Sequence, residues 1–306
     1  MRVYQDHLEL TPSDQGRVVT IGNFDGLHLG HRRLFREVRE LAVSKGLRSL
    51  VFTFAGHSRQ QEHQGLLQSL AEKTDQLERL GLDELLYQPF DQTFAAIEAE
   101  DFVRQVLIEQ VGVRALVVGY NFRFGRQARG TPALLSDFAQ QRAFSLTVIE
   151  PVRWEGAIVS STAIRHLLLS GEVELARAYL GRPYRLTGEV LAGASRGRTL
   201  SYPTLNVYKS DCLFPRPGVY GGWARLKGAD HAAIAYVGSC PTFREERQRL
   251  EVHLLDPLAV TEPKEVCFEF LNFVRPERVF ADAEELKEQI ARDIATVRER
   301  LSREVR

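Results

Sequence analysis

The sequence predicts an α/β domain followed by a small antiparallel β-barrel with a C-terminal helix. Three observations lead to this prediction. Apolar strands alternate with helical patterns over the first half, short strands without intervening helices follow, and one amphipathic helix ends the chain. The chain has 306 residues, enough for about two domains. We place the boundary where the pattern changes, with a first domain over residues 1–183 and a second over 184–306.

The first domain repeats a strand–helix unit. Continuous apolar strands in such a repeat favour a parallel sheet that is covered on both faces. Strands are predicted at 18–22, 49–54, 84–90, 115–120 and 145–151, and helices at 32–45, 70–80, 99–110 and 132–141. Ligands of such sheets bind outside the carboxyl ends of the strands. The loops that follow strands 18–22, 49–54 and 115–120 are therefore expected at one ligand-binding edge.

The loop after the first of these strands carries the most informative motif. Residues 18–35 read VVTIGNFDGLHLGHRRLF: a strand, a glycine-containing loop, two histidines three residues apart and a helix. Backbone N–H groups at a helix start suit a phosphate. His28 and His31 can donate hydrogen bonds to the oxygens of a departing pyrophosphate. The alternative, for an isolated pair of this spacing, is a polar loop with two solvated histidines. The motif is not GxGxxG, so bound NAD is not expected.

Two more segments of the first domain contain anion-binding or aromatic groups. Ser160, Ser161 and Thr162 precede a helix, in which Ser161 or Thr162 is the expected N-cap and Arg165 lies one turn further on. The alternative is an ordinary cap with a solvated arginine. Residues 119–130, GYNFRFGRQARG, follow a strand. For them the alternative is a loop whose aromatic residues are anchored in the core.

The second half contains short strands separated by turn residues, a pattern typical of a small antiparallel barrel. Before it, residues 160–181 predict two short helices that end at Gly171 and Gly181. Asp282 can cap the C-terminal helix, which is expected to pack over the barrel through one apolar stripe. That stripe consists of Leu286, Ile290, Ile294, Val297 and Leu301.

Composition limits the classes of partner. The formal net charge is zero, so no basic excess is present to bind a nucleic-acid backbone. Cys212, Cys240 and Cys267 have no paired close spacing, which favours reduced thiols over a zinc site or disulfides. No apolar run reaches the roughly 18 residues of a membrane span, and the first residues lack the apolar core of a signal peptide. The expected location is the cytoplasm.

The segment GNFDGLHLGH resembles the nucleotidyltransferase motif of the HxGH superfamily. In this spelling it is similar to the N-terminal domain of the bacterial riboflavin kinase/FAD synthetase family. SSTAIR resembles the family's second motif and GYNFRFG its adenine- and flavin-binding stretch. The resemblance implies that His28 and His31 are catalytic. It implies ATP contacts by Gly22, Asn23, Phe24, Asp25, Gly26, Ser160, Ser161, Thr162 and Arg165. It implies flavin contacts by His57, Asn121, Phe122 and Arg123.

Residues 193–206, GASRGRTLSYPTLN, resemble the riboflavin kinase motif GxxxGRxxGFPTAN of the same family. The resemblance implies a catalytic base at Glu251 in RLEVHLLD, whereas strand alternation leaves open that Glu251 only lines a solvated face. It implies a flavin or nucleotide contact at Arg275 and Mg²⁺ ligands at Thr204 and Asn206. The implied ATP contacts of this motif are Gly193, Gly197, Arg198, Thr204 and Asn206.

Several positions depart from the family pattern. The usual prolines around His57 are replaced by Gly56 and Ser58, which predicts a more mobile loop. Changes on the flavin side of the kinase motifs are Ser201, Leu205, Tyr236 and Cys240.

The resemblance implies an enzyme that phosphorylates riboflavin to FMN and adenylylates FMN to FAD. ATP is the co-substrate, Mg²⁺ the cofactor, and pyrophosphate leaves in the second step. The expected partners are riboflavin, FMN and ATP, with no nucleic acid and no membrane; protein partners are not indicated. Two alternatives remain at this point: an FAD synthetase with a weak or lost kinase, and a flavin- or nucleotide-binding protein without turnover.

Overall fold

The structure is a computed structural model of the chain. It describes residues 1–11, 16–55, 65–141, 144–191, 202–207, 210–240, 247–256 and 263–304. The chain forms two compact units, Met1–Gln64 with Ser69–Val159, and Gly65–Gln68 with Ser160–Arg306. Residues 160–183 thus belong to the second compact unit, although its barrel begins at Tyr184. The functional boundary at residue 183 stays a prediction.

A six-stranded parallel sheet forms the centre of the first unit, in the order β1–β4–β3–β2–β5–β6. Its strands are β1 Arg2–Tyr4, β2 Arg17–Ile21, β3 Arg48–Ala55, β4 Glu84–Pro89, β5 Val113–Gly119 and β6 Ser145–Ile149. The five predicted strands and their parallel arrangement are confirmed. Strand β1 was not predicted, because two of its three residues are exposed and give no apolar run.

Helices cover both faces of this sheet. They are α1 Leu29–Lys45, α2 Leu70–Arg79, α3 Gln92–Ala95, α4 Ala99–Asp101 and α5 Pro132–Gln140. The segment Phe102–Gln110 continues α4 as a π-helix. Phe35 and Val38 of α1 belong to the core on one face, with Val18 and Val51. The π-helix and α5 belong to the core on the other face. A two-stranded hairpin, β7 Arg153–Trp154 and β8 Ala157–Ile158, precedes the end of this unit.

The strand order places β2 between β3 and β5. Because all three are parallel, their carboxyl ends lie at one edge. The loops after β2 and β5 begin at this edge as predicted, whereas the residues that follow β3 lie outside the described residues. At the opposite edge, Arg17 at the start of β2 forms a buried ion pair with Glu84 at the start of β4 (Nε–Oε2 2.6 Å). The Arg17 guanidinium also donates to the Val111 carbonyl (2.8 Å), and Tyr4 Oη donates to Glu84 Oε1 (3.1 Å).

Two helices open the second unit, α6 Ser161–Ser170 and α7 Val173–Leu180. They end at Gly171 and Gly181, as predicted, and both glycines adopt a left-handed conformation. The predicted cap of α6 is wrong by one residue. Ser160 has extended backbone angles and accepts a hydrogen bond from Ala163 N (3.2 Å), whereas Ser161 is already helical.

Six antiparallel strands close into a barrel in the order β10–β13–β12–β11–β14–β9, which confirms the predicted barrel. They are β9 Tyr184–Leu191, β10 Leu205–Val207, β11 Gly218–Leu226, β12 Ala229–Cys240, β13 Arg247–Leu254 and β14 Glu265–Pro276. Helix α8, Ala283–Ser302, is capped by Asp282 as predicted. Its residues Ile294, Val297 and Leu301 pack on the barrel beside Val219 and Ile234, which confirms the predicted packing for these three residues of the stripe.

The barrel strands alternate between an inner and an outer face. Leu250 and Val252 of β13, Ala235 and Val237 of β12 and Val207 of β10 are all buried. The residues between them, among them Glu251 and Tyr236, therefore lie on the outer face. Among the described residues, no helix combines the length and the apolar character needed to cross a bilayer.

Candidate functional site

The loop between β2 and α1 is held against the end of β3. Gly22 N donates to the Phe52 carbonyl (3.1 Å), and Thr53 Oγ1 donates to the Asn23 carbonyl (3.1 Å). Phe24 and Leu27 are buried yet have left-handed φ values of 46° and 40°, which non-glycine residues rarely adopt. Gly26 also has a positive φ of 85°. Surrounding contacts must maintain this strain, which is typical of ligand-binding loops.

The two histidines of the motif lie together at the start of α1. His28 is the N-cap, and its Nδ1 accepts from His31 N (3.4 Å). The imidazole rings stack with centroids 3.6 Å apart. Gly30 makes room for this pair, because a Cβ there would lie 3.0 Å from Cε1 of His28. The structure thus brings both predicted catalytic residues to one helix N-terminus, where backbone N–H groups favour an anion.

His31 is a neutral imidazole at physiological pH. Burial, together with the neighbouring His28 and Lys73, holds its pKa well below the usual value of 6.5. The ring also packs edge-on against Phe24, with centroids 5.2 Å apart. A neutral imidazole donates one N–H and accepts at its other nitrogen. His31 is therefore suited to hydrogen bonding with phosphate oxygens and not to permanent positive charge.

Sequence reasoning missed Lys73, which reaches this loop from α2. Its Nζ donates to the Asn23 carbonyl (2.8 Å), and the residue is 7% exposed. Burial lowers the pKa of Lys73 from 10.5 to about 8, against the opposing attraction of Asp25, which is itself buried. The sequence contained one indication that Lys73 is unusual, namely the rarity of lysine in this part of the chain. Lys45 and Lys73 are the two lysines of residues 1–159, where arginine supplies every other cationic side chain apart from histidine.

The loop after β5 carries the predicted flavin contacts. Phe124 is buried in the core, and Phe122 stacks on it with centroids 5.4 Å apart. Gly130 leaves space for the Phe124 ring, since a Cβ there would lie 2.6 Å from it. Asn121 and Arg123 are exposed beside this aromatic pair. One aromatic residue therefore anchors the loop, while the polar candidates remain accessible to a ligand.

The second predicted anion-binding segment belongs to the second unit. Ser160 is the cap of α6, and Ser161 and Thr162 form its first turn. Arg165 is 7% exposed, and its guanidinium donates to the Gly65 carbonyl from Nε (3.3 Å) and Nη2 (3.2 Å). Arg165 therefore has a structural contact that the sequence did not indicate, in addition to its predicted role toward ATP.

The predicted kinase residues come together on the outer face of the barrel. Glu251 lies directly opposite Asn206 on β10 and opposite Tyr236 on β12. Tyr236 in turn lies opposite Val219, and Val219 opposite Arg275. Cross-strand partners share a face. Four separate sequence motifs thus contribute to one row across the barrel, which we name the outer row: Asn206, Glu251, Tyr236, Val219 and Arg275.

Neighbouring groups orient the end of the outer row that carries Asn206 and Glu251, which we call its open end. Arg249, two residues before Glu251 on the same face, forms an ion pair with it (Nη2–Oε1 2.8 Å). Two residues after Glu251, His253 Nδ1 donates to the Pro203 carbonyl (2.9 Å). Asn206 Nδ2 donates to the Thr204 carbonyl (3.3 Å), which leaves the Asn206 amide oxygen to accept other contacts. Sequence reasoning named neither Arg249 nor His253 as a site residue.

Arg275, at the other end of the outer row, is engaged by α8. Its Nε pairs with the buried carboxylate of Asp293 (2.9 Å), which also accepts from Gln289 Nε2 (2.8 Å). The guanidinium lies 5.5 Å from the centroid of the Phe280 ring. The predicted flavin contact of Arg275 thus has to coexist with a structural role in fixing the C-terminal helix.

Some predicted site residues lie outside the described residues: His57 with Gly56 and Ser58, and Gly193, Gly197 and Arg198 with Ser201. The side chain of Cys240 lies outside them as well. Within the described ranges, no cluster of three or more His, Cys, Asp or Glu side chains has a metal-binding arrangement. The hydroxyl of Thr204 and the amide oxygen of Asn206 are hard oxygen donors, and Mg²⁺ takes few protein ligands while keeping water and phosphate oxygens. These residues therefore fit that ion.

Comparison with known proteins assigns a family to each half of the chain. Residues 10–163 match the family described as FAD synthetase, and residues 180–301 the family described as riboflavin kinase. A bifunctional riboflavin kinase/FMN adenylyltransferase of Bacillus subtilis (strain 168) is 34% identical over 285 residues, which is 90% of each chain. The protein of the same description from Escherichia coli (strain K12) is 35% identical over 295 residues, which is 93% of each chain. A crystal structure described as a macrolide-efflux protein from Streptococcus pneumoniae has a TM-score of 0.86 at 28% identity, covering 97% of this chain and 98% of that one.

Proposed function

We propose which residues carry each of the two activities of this chain. The chain belongs to the bifunctional riboflavin kinase/FMN adenylyltransferase family and contains both of its domains, so it is a transferase with both activities. The β2–α1 loop carries adenylyl transfer. The open end of the outer row carries phosphoryl transfer to riboflavin. The observation that supports the second assignment most directly is the pairing of Asn206 with Glu251 across neighbouring strands.

In adenylyl transfer, a phosphate oxygen of FMN attacks the α-phosphorus of ATP. The bond from that phosphorus to the bridging oxygen breaks, and pyrophosphate leaves with the bond's electron pair. FMN phosphate is already largely ionised at pH 7, so no general base is needed. His28 and neutral His31 donate hydrogen bonds to the oxygens on which charge accumulates. The N–H groups of the first turn of α1 add to this stabilisation.

In phosphoryl transfer, the 5′-hydroxyl oxygen of riboflavin attacks the γ-phosphorus of ATP, and ADP leaves. Glu251 accepts the hydroxyl proton as the new P–O bond forms. Arg249 holds the carboxylate through its ion pair, and His253 holds the segment that leads to Thr204. Thr204 and Asn206 orient the ATP phosphates.

Magnesium would be held by Thr204 and Asn206 together with phosphate oxygens. When bound, it neutralises phosphate charge. For localisation we propose the cytoplasm, supported by the lack of paired close spacing among the three cysteines of the sequence, which favours reduced thiols. The substrates are riboflavin, FMN and ATP.

A chromatographic product assay tests the proposal. Purified full-length protein is incubated with riboflavin, ATP and MgCl₂, and in a second tube with FMN, ATP and MgCl₂. FMN followed by FAD in the first tube is expected. FAD only in the second tube would mean that the kinase is weak or lost through the changes at Ser201, Leu205, Tyr236 and Cys240. No product from either flavin, oxidised or reduced, would leave only a binding protein.

A further inference from the structure

Lys73 is a buried cation that the mechanism above does not use. It extends from α2 to the underside of the loop that carries Asn23 and Asp25. Removing an ammonium group from water is costly unless oxygen acceptors replace the water. One hydrogen bond to the loop does not explain why an ammonium group is buried at this cost. The burial of Lys73 therefore indicates a functional role.

The ammonium group of Lys73 can donate more hydrogen bonds than the described residues accept from it. An ammonium group has three N–H donors. In the part of the chain that the structure describes, Nζ of Lys73 donates one hydrogen bond, to the Asn23 carbonyl at 2.8 Å. That carbonyl already accepts a hydrogen bond from Thr53 Oγ1 (3.1 Å). The loop is therefore held without Lys73, and the ammonium has donors to spare.

The surroundings of Lys73 favour an anion as a further acceptor. Lys73 acts electrostatically on His31, which lies in the first turn of α1, and on the buried carboxylate of Asp25. Through its hydrogen bond to Asn23, the ammonium contacts the loop that leads into α1, whose N-terminus is suited to a phosphate. A lysine also differs from the arginines used elsewhere in this unit, because it gives a compact point charge with three rotatable donors.

We infer that Lys73 is a further phosphate-binding residue of the adenylyl-transfer site, which donates hydrogen bonds to a phosphate group of ATP or of FMN while it holds the Asn23 carbonyl. This inference rests on the proposed function of the β2–α1 loop. The phosphate comes from either substrate, and the two sources are separated by the kinetic constants below.

The test compares three variants of the full-length protein. Lys73→Met keeps the length of the side chain and removes its charge and donors. Thr53→Val removes the other donor to the Asn23 carbonyl and so reports on loop support alone. Lys45→Met is the matched control, since Lys45 is exposed in the last turn of α1. Adenylyl transfer is measured as FAD formed from FMN and ATP, which bypasses the kinase. Kinase activity on riboflavin is measured on the same preparations.

For Lys73→Met we expect kcat/KM of adenylyl transfer to fall by about 10- to 100-fold, the loss typical of a hydrogen bond to a charged group. A raised KM for ATP identifies an ATP phosphate, and a raised KM for FMN identifies the flavin phosphate. Thr53→Val should cause a smaller loss, since it weakens loop support but removes no phosphate donor, and Lys45→Met should resemble the wild type.

Two outcomes would overturn the inference. One is full adenylyl transfer in Lys73→Met. The other is a loss in Lys73→Met that Thr53→Val reproduces in both kcat and KM, which would make the lysine a loop support only. Unfolding of the first unit is checked by the fluorescence of Trp154 in a Trp223→Phe background. If Lys73→Met unfolds, Lys73→Gln is used, and full activity of that folded variant would equally overturn the inference. Absence of FAD formation by the wild type would instead refute the proposed function.

Discussion

The imidazole Nδ1 of His253 donates a hydrogen bond to the carbonyl of Pro203 at 2.9 Å. This contact ties strand β13, which carries Glu251, to the segment that carries Thr204 and Asn206. The Tyr202 ring packs edge-on against the same imidazole, with centroids 5.3 Å apart. The base and the phosphate-orienting residues of the proposed kinase site are therefore held together by one histidine on the outer face.

Replacement of His253 by Leu should weaken the kinase selectively. Loss of one neutral hydrogen bond costs about 1 kcal/mol, or about a fivefold reduction in kcat/KM for riboflavin. His253→Asn retains a donor and should recover part of the activity. The measurement is FMN formed from riboflavin, with FAD formed from FMN as the reference reaction. Equal losses of FMN formation and of FAD formation would contradict a role of His253 that is confined to the kinase site.

Replacement of Glu251 by Gln should remove the proposed base while preserving shape. Kinase turnover is expected to fall by at least about 100-fold, as for other general bases. FAD formation from FMN should be unchanged. Glu265→Gln, at an exposed position of β14, is the matched control. A Glu251→Gln variant that keeps its kinase turnover would support the alternative that Glu251 only lines a solvated face.

A methyl group at Gly30 should disturb the histidine pair. The Cβ of Gly30→Ala would lie 3.0 Å from Cε1 of His28 and 3.1 Å from its Nδ1, so the ring must shift. We expect adenylyl transfer to fall by about tenfold or more, because small displacements of catalytic groups are costly. Kinase turnover serves as the reference. Unchanged FAD formation would mean that the position of His28 is not critical.

The stability of the first unit should fall as the pH drops below about 6.5. His31 has a lowered pKa in the folded state, so the unfolded chain binds a proton that the folded unit does not. The contribution of His31 is fully present above the unfolded pKa of about 6.5 and declines by at most about 1.4 kcal/mol per pH unit below it. Denaturant unfolding is followed through Trp154 in Trp223→Phe protein. Between pH 7 and 5.5, the free energy of unfolding should change less when His31→Phe is added than without it. If His31→Phe leaves this pH dependence of stability the same, the lowered pKa of His31 does not cause it.

Breaking the buried ion pair at the other edge of the sheet should be severe. Arg17→Met leaves the Glu84 carboxylate buried without its main partner, which typically costs about 3–5 kcal/mol. Arg17→Met combined with Glu84→Gln should recover part of that loss. Unfolding followed through Trp154 reports the difference. Recovery is not expected if Arg17 acts mainly through the Val111 carbonyl, and this double variant separates the two contributions.

The sequence predicted the architecture well because both domains have strong periodic patterns. Apolar runs separated by helical spacing indicated the parallel sheet, and turn residues between short strands indicated the barrel. Strand β1 was missed because a three-residue edge strand carries no such pattern. Ser160 was missed as the cap because three consecutive hydroxyl residues are equally good caps, and only the backbone angles distinguish them.

The candidate sites were predicted only where a motif named them. Motifs placed His28 and His31 at one helix start, and Asn206 and Glu251 on neighbouring strands, where the register sets these two opposite each other. Lys73, Arg249 and His253 were missed because their roles depend on contacts with distant backbone or neighbouring side chains. The engagement of Arg275 by Asp293 likewise depends on where α8 docks, which no local pattern specifies.

The outer row has one consequence for how this barrel can evolve. Glu251 faces outward because Leu250 and Val252 face inward, so the hydrophobic core and the candidate kinase groups are set by the same strand register. A single-residue insertion early in β13 would turn the carboxylate into the core and the leucine into solvent. Insertions and deletions should therefore be tolerated in the turns of the barrel and excluded from this strand. Selection for foldability alone would preserve the register of this strand, and so the outward direction of position 251, even in a descendant that no longer needed the reaction.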